Sequence, residues 1–125
     1  MKTSEDSPAD WYLLAQDKLN AADAVFKALG STFSCVELLH EAVERFLKGY
    51  LISKGWRLVR THDLTDLVAS ATGFDKNFIQ FEELAEELTE QFFLQHYPGS
   101  DLTDVGKNYL ALRGQTDELL RLIQQ

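Results

Sequence analysis

Apolar residues recur every three or four positions along most of the chain, and that rhythm predicts helices. Trp11, Leu14, Ala15, Ala22, Val25, Phe26 and Leu29 share one face of a first helix. Ser7 supplies an oxygen to cap its free N–H groups, Pro8 suits its first position, and Gly30 ends it. A second helix starts at a Ser31 or Thr32 cap and runs to about Lys54. Its polar residues Glu37, Glu41, Glu44, Arg45 and Lys48 fall on one narrow stripe. Cys35, Val36, Leu38, Leu39, Ala42, Val43, Phe46, Leu47, Tyr50, Leu51 and Ile52 cover most of the remaining circumference. A helix apolar over so wide an arc is either central to its bundle or part of a subunit contact.

After a short connector, Arg57 to Arg60, the pattern predicts a third helix capped by Thr61 and ended by Gly73. Asp75 caps a fourth, whose seam is Phe78, Phe81, Ala85, Leu88 and Phe92 and whose other faces are acidic. The Pro-Gly pair at 98–99 makes residues 96–101 a loop. A last helix is expected from about Thr103 to Ile123, with Leu102, Val105, Tyr109, Leu112, Thr116, Leu119 and Ile123 as a heptad seam. No segment alternates with period two. The expected fold is therefore all-α: an up-and-down bundle of four long helices plus one short helix, spanning residues 8–125 behind a disordered tail, residues 1–7.

Composition narrows the function. The 125 residues suffice for one domain with its own core. Acidic residues outnumber basic ones by 20 to 12, giving a net charge of −8, which disfavours broad binding to duplex DNA. The single cysteine, Cys35, makes neither an internal disulfide nor a thiolate metal cage, which fits a reducing, cytoplasmic setting. The opening MKTSEDSPAD has no apolar stretch after its Lys, so no signal peptide is expected, and no run is long enough to span a membrane.

The charge is unevenly spread. Lys48, Lys54, Arg57 and Arg60 lie in a stretch without an acid, whereas six acids and one Lys lie between Asp75 and Glu90. The first stretch reads either as a phosphate-binding end of the bundle, helped by free N–H groups at the Thr61 cap, or as bases complementing a helix C-terminus. Arg57 and His62 form the one nuclease-like pair: Arg to stabilise phosphorane charge, His as general acid or base. Otherwise His62 simply pins the connector. His40, His62 and His96 lack the one-turn spacing of a helical metal site, and neither metal nor cofactor is expected. Trp56 and Tyr97 are the two aromatics in connectors, each a core cap or a partner contact.

Three motifs in order resemble a known family. Ala42, Val43, Glu44, Arg45, Phe46, Leu47 and Lys48 match the Ala-hydrophobic-Glu-Lys-hydrophobic-Leu-Lys core of the HEPN domain. Arg60, Thr61, His62, Asp63 and Leu64 match its Lys-Thr-His-Asp-Leu, and His96, Tyr97 and Pro98 match a later Arg-Tyr-Pro. Glu41 stands where the family has Gln, and His96 where it has Arg. The resemblance implies a nucleotide-associated helical module that forms a homodimer. It also implies a minimal nucleotidyltransferase as partner, in a toxin–antitoxin-like system. The nucleotide- or phosphate-binding candidates are Lys48, Lys54, Arg57, Arg60, Thr61, His62, His96 and Tyr97. Other HEPN branches are metal-independent ribonucleases with an Arg and a His a few residues apart. Arg57 and His62 have that spacing, but they precede the third helix and Leu58 follows the Arg. RNA cleavage by this pair is thus the alternative to a non-catalytic role.

Overall fold

The computed structural model describes residues 1–125 and contains five α-helices and no strand. They are α1 (Pro8–Leu29), α2 (Phe33–Ser53), α3 (Leu64–Thr72), α4 (Glu82–Leu94) and α5 (Tyr109–Ile123), with a 3₁₀ helix, Lys76–Phe81, leading into α4. α1 begins where the sequence places it. The Ser7 hydroxyl accepts from Asp10 N–H, Pro8 takes the first position, and Gly30 at φ 77° closes the helix. Before it, Glu5 is held twice: its carbonyl accepts from the Trp11 indole at 2.8 Å and its carboxylate pairs with Arg60.

α2 is the central element. It packs along α1 and also touches α3, α4 and α5. Its wide apolar arc is spent inside this one chain, with Cys35, Val36, Leu39, Ala42, Val43, Phe46, Leu47, Tyr50 and Leu51 all buried. Of the two explanations for that arc, the central position holds. The seam of α5 is used the same way, since Tyr109, Leu112, Thr116 and Leu119 face inward. Gly49 lets α1 come this close: a Cβ there would sit 2.6 Å from the Tyr12 ring.

Three boundaries depart from expectation. Asp63, not Thr61, caps α3: its carboxylate accepts from Thr65 N–H at 2.9 Å, while the Thr61 hydroxyl accepts from Asp63 N–H. Asp75 caps the 3₁₀ segment rather than a continuous fourth helix. α5 starts at Tyr109, six residues later than Thr103, because residues 103–108 form turns. Gly106 there adopts φ 85°, which no helix accepts, and Gln91 of α4 accepts its N–H at 2.9 Å. Trp56 packs against the core, which is the first of its two readings, and Tyr97 is exposed.

Candidate functional site

The site grows from one face of α2. His40, Glu44 and Lys48 follow one another at four-residue intervals, so they stack along the helix. Opposite them runs the connector from Trp56 to Asp63. His40 Nε2–H donates to the His62 carbonyl at 2.8 Å, and His62 Nδ1–H donates to Glu44 Oε1 at 2.9 Å. The other oxygen, Glu44 Oε2, accepts from Lys48 Nζ at 3.0 Å. Residue 62 is thus held by its backbone and by its ring, from adjacent turns of one helix. Thr89 of α4 secures the next-but-one residue, its hydroxyl accepting from Leu64 N–H at 3.1 Å.

Burial makes this arrangement demanding. The side chains of Glu44 and Lys48 are only 8% and 6% exposed, whereas that of His62 is 65% exposed. Burial by itself would raise the Glu44 carboxyl. The hydrogen bonds from His62 and Lys48, with the Lys48 charge, outweigh it and hold Glu44 below its ordinary value. The carboxylate is therefore ionised at neutral pH and accepts at both oxygens. Lys48 completes its surroundings with its ammonium 5.9 Å from the Trp11 ring centroid. His40 is different. Its ring is fully buried, and desolvation pushes its pKa down to about 4. It is neutral, its Nδ1 has no partner, and its plane lies on Phe92 with centroids 3.8 Å apart.

Phe92 connects this corner to the loop after α4. His96 lies 4.3 Å from the Phe92 ring, His62 lies 6.3 Å from it, and Phe93 meets it edge-on at 5.5 Å. Phe93 and Tyr97 are exposed by 47% and 78%. The fold thus brings His62 and His96, which the sequence proposes from two separate motifs, to one ring, Phe92, and leaves Tyr97 exposed. It does not gather the four basic candidates. Lys48 is buried on Glu44, and Arg60 forks onto Glu5 at 2.7 and 3.0 Å. Lys54 lies over Tyr50 at 5.5 Å, and Arg57 is exposed. None of the five larger cavities is lined by any of them.

The largest cavities lie elsewhere. Two acidic grooves of about 540 and 480 Å³ run between α4 and the region from Asp101 to Gln115, sharing Glu87, Glu90 and Asn108. An apolar groove of about 430 Å³ lies between α1 and the end of α5, lined by Tyr12, Leu13, Phe46 and Ile123. No His, Cys, Asp and Glu side chains cluster in the way a metal ion needs. No helix is long and apolar enough to cross a membrane.

Sequence reasoning missed Glu44 and His40 as partners of His62. It assigned Glu44 and Lys48 to a polar stripe without asking which way the stripe faces. The available signal was the four-residue spacing of His40, Glu44 and Lys48 beside an apolar helix that had to be central.

A family model described as the HEPN domain matches residues 9–123, nearly the whole chain, and the chain belongs to this family. No curated protein and no solved structure matches it.

Proposed function

We propose that this chain is a nucleotide-associated HEPN module, an up-and-down bundle that acts chiefly by binding, with its ligand corner at His62, His96 and Tyr97. The supporting observation is the placement of His62: a solvent-facing imidazole gripped by a buried carboxylate, on the Phe92 ring that His96 and the exposed Phe93 also meet. An imidazole fixed in this way offers a defined hydrogen-bonding edge, and exposed rings offer planes for bases. The family's common habit of dimerising adds a second copy to this reading. A minimal nucleotidyltransferase as partner, in a toxin–antitoxin-like cytoplasmic system, completes it. Thermal shift with nucleotides tests the core claim: a ligand at about a hundred times its dissociation constant adds about 2.7 kcal/mol. Absence of any shift with mono-, di- and triphosphates removes nucleotide association. Light scattering on a sizing column tests the second copy, and a single-chain mass at micromolar concentration removes it.

One observation favours the alternative, a metal-independent ribonuclease. Glu44 supplies what a catalytic His requires, a group that fixes its orientation and tautomer. In that reading His62 is the acid–base group and Arg57 stabilises charge. RNA cleavage in EDTA by wild type and by His62→Ala decides it: equal rates remove His62 from the chemistry.

A further inference from the structure

Residues 1–7 carry no helix, yet they are tied to the fold. The Ser7 hydroxyl caps α1, and Ser4 N–H donates to the Asp10 carboxylate at 3.0 Å. The Glu5 carbonyl accepts from the Trp11 indole at 2.8 Å. These contacts are local. The remaining one spans 55 residues: both oxygens of the Glu5 carboxylate accept from Arg60 Nη2, at 2.7 and 3.0 Å. It fastens the segment to the connector between α2 and α3.

Two properties make that pair exchangeable. The Arg60 and Glu5 side chains are 77% and 55% exposed, and an ion pair so open to water is weakly held. A carboxylate and a phosphate also make the same charge-assisted bonds to a guanidinium, so Glu5 takes the place that a phosphate oxygen would take. Arg57 of the same connector is exposed and has no acid within ion-pair distance. Release of Glu5 therefore leaves two open guanidinium groups on the connector with no acid between them. The second hold of Glu5 leads toward the same corner. The Trp11 ring lies 5.9 Å from Lys48 Nζ, and Lys48 is bonded to Glu44, the partner of His62.

We propose that residues 1–7 form an autoinhibitory strap, in which Glu5 occupies Arg60 as an internal anion that a phosphate-bearing ligand must displace to bind the connector. This rests on the nucleotide-associated reading and adds its regulation. The strap lowers the affinity of the resting chain for phosphate, and whatever lifts Glu5 off Arg60 raises it.

The test uses the full chain at low ionic strength, with inorganic pyrophosphate and a nucleoside triphosphate as separate probes. Glu5→Gln keeps the carbonyl that Trp11 uses and removes the charge on Arg60. It is expected to bind both probes about threefold tighter than wild type, within the range of an exposed ion pair. In an Arg60→Gln background the gain from Glu5→Gln should vanish. Equal affinity of wild type and Glu5→Gln for the triphosphate and for pyrophosphate overturns the inference and leaves nucleotide association standing. A gain for pyrophosphate alone supports the strap and removes the nucleoside from the ligand. Binding of neither probe by any variant overturns both. The Trp11 indole resonance gives a second readout, assigned with Trp56→Phe because the chain has two tryptophans. Saturating pyrophosphate should move it in wild type to where Glu5→Gln already has it. A resonance that stays in place while pyrophosphate binds overturns the inference.

Discussion

Glu44 of α2 and the acids of α4 are the same kind of residue in the same kind of helix, yet they lead opposite lives. Glu44 is buried and fully satisfied, with Lys48 on one oxygen and His62 on the other. Glu82, Glu83, Glu86, Glu87 and Glu90 are exposed, and none has a cationic side chain within ion-pair distance. The difference lies in what passes overhead. A connector crosses the polar face of α2, whereas water covers α4. A buried charge needs every partner it has, while a solvated one needs none. Charge on this molecule therefore matters by location: the corner at α2 specifies structure, and the face of α4 sets solubility and repels anions.

The sharpest way to break this contrast is to remove one partner. Lys48→Met leaves the Glu44 carboxylate buried with His62 alone, and it is expected to cost about 3–5 kcal/mol in urea unfolding. Replacing both, as in Glu44→Gln with Lys48→Met, removes the uncompensated charge and should cost clearly less. Glu83→Gln on α4 should stay within about 0.5 kcal/mol. A Lys48→Met cost as small as that of Glu83→Gln would show that Glu44 is effectively solvated.

Acid probes the same corner without mutation. The pKa of His40 falls from its ordinary 6.5 to about 4 in the fold, mainly by burial. Between these values the unfolded chain binds a proton that the folded chain refuses, so stability drops as pH falls through this window. Glu44, held below its ordinary value, adds a loss in the same direction at the acid end. The His40 contribution amounts to about 3 kcal/mol across the window. In His40→Gln the slope of stability against pH between about 6.5 and 4 should flatten. An unchanged slope would assign the acid sensitivity elsewhere.

The cap at the end of the connector gives a smaller effect. Asp63→Ala removes the acceptor for Thr65 N–H and is expected to cost about 1 kcal/mol. Thr61→Ala removes only the bond to Asp63 N–H and should cost less, measured as the difference in urea midpoints. The reverse order would restore Thr61 as the cap that the sequence suggests.

How much of the molecule is legible in its sequence follows the same division. Local chemistry is legible. Ser7, Pro8 and Gly30 bound α1, and the seam from Phe78 to Phe92 is buried as its spacing requires. The THDL and HYP motifs are visible, and with them His62, His96 and Tyr97. Whatever depends on a distant partner is not legible. The hold of Gln91 on Gly106 N–H belongs to the turn that delays α5, and it crosses 15 residues of chain. Glu44 reaches His62 across 18. Helical spacing gives the stripe but not the side it faces, so a buried triad and a solvated row look alike in one dimension.

The smallest effect tests the solvated side of the comparison. Glu82, Glu86 and Glu90 lie at successive four-residue intervals on α4, so like charges face one another one turn apart. Glu86→Lys turns two such repulsions into attractions, and the Glu82–Lys order is the better-oriented one. Its net gain is expected to be about 0.5 kcal/mol, read as a higher melting temperature at low salt. Because these side chains are exposed, added salt should erase the gain, since about 1 M ionic strength shrinks the screening length to roughly 3 Å. The same salt should leave the Lys48→Met deficit largely in place, because water and ions do not reach between Glu44 and Lys48. A salt-insensitive gain on α4, or a salt-sensitive deficit on α2, would collapse the distinction between the two faces.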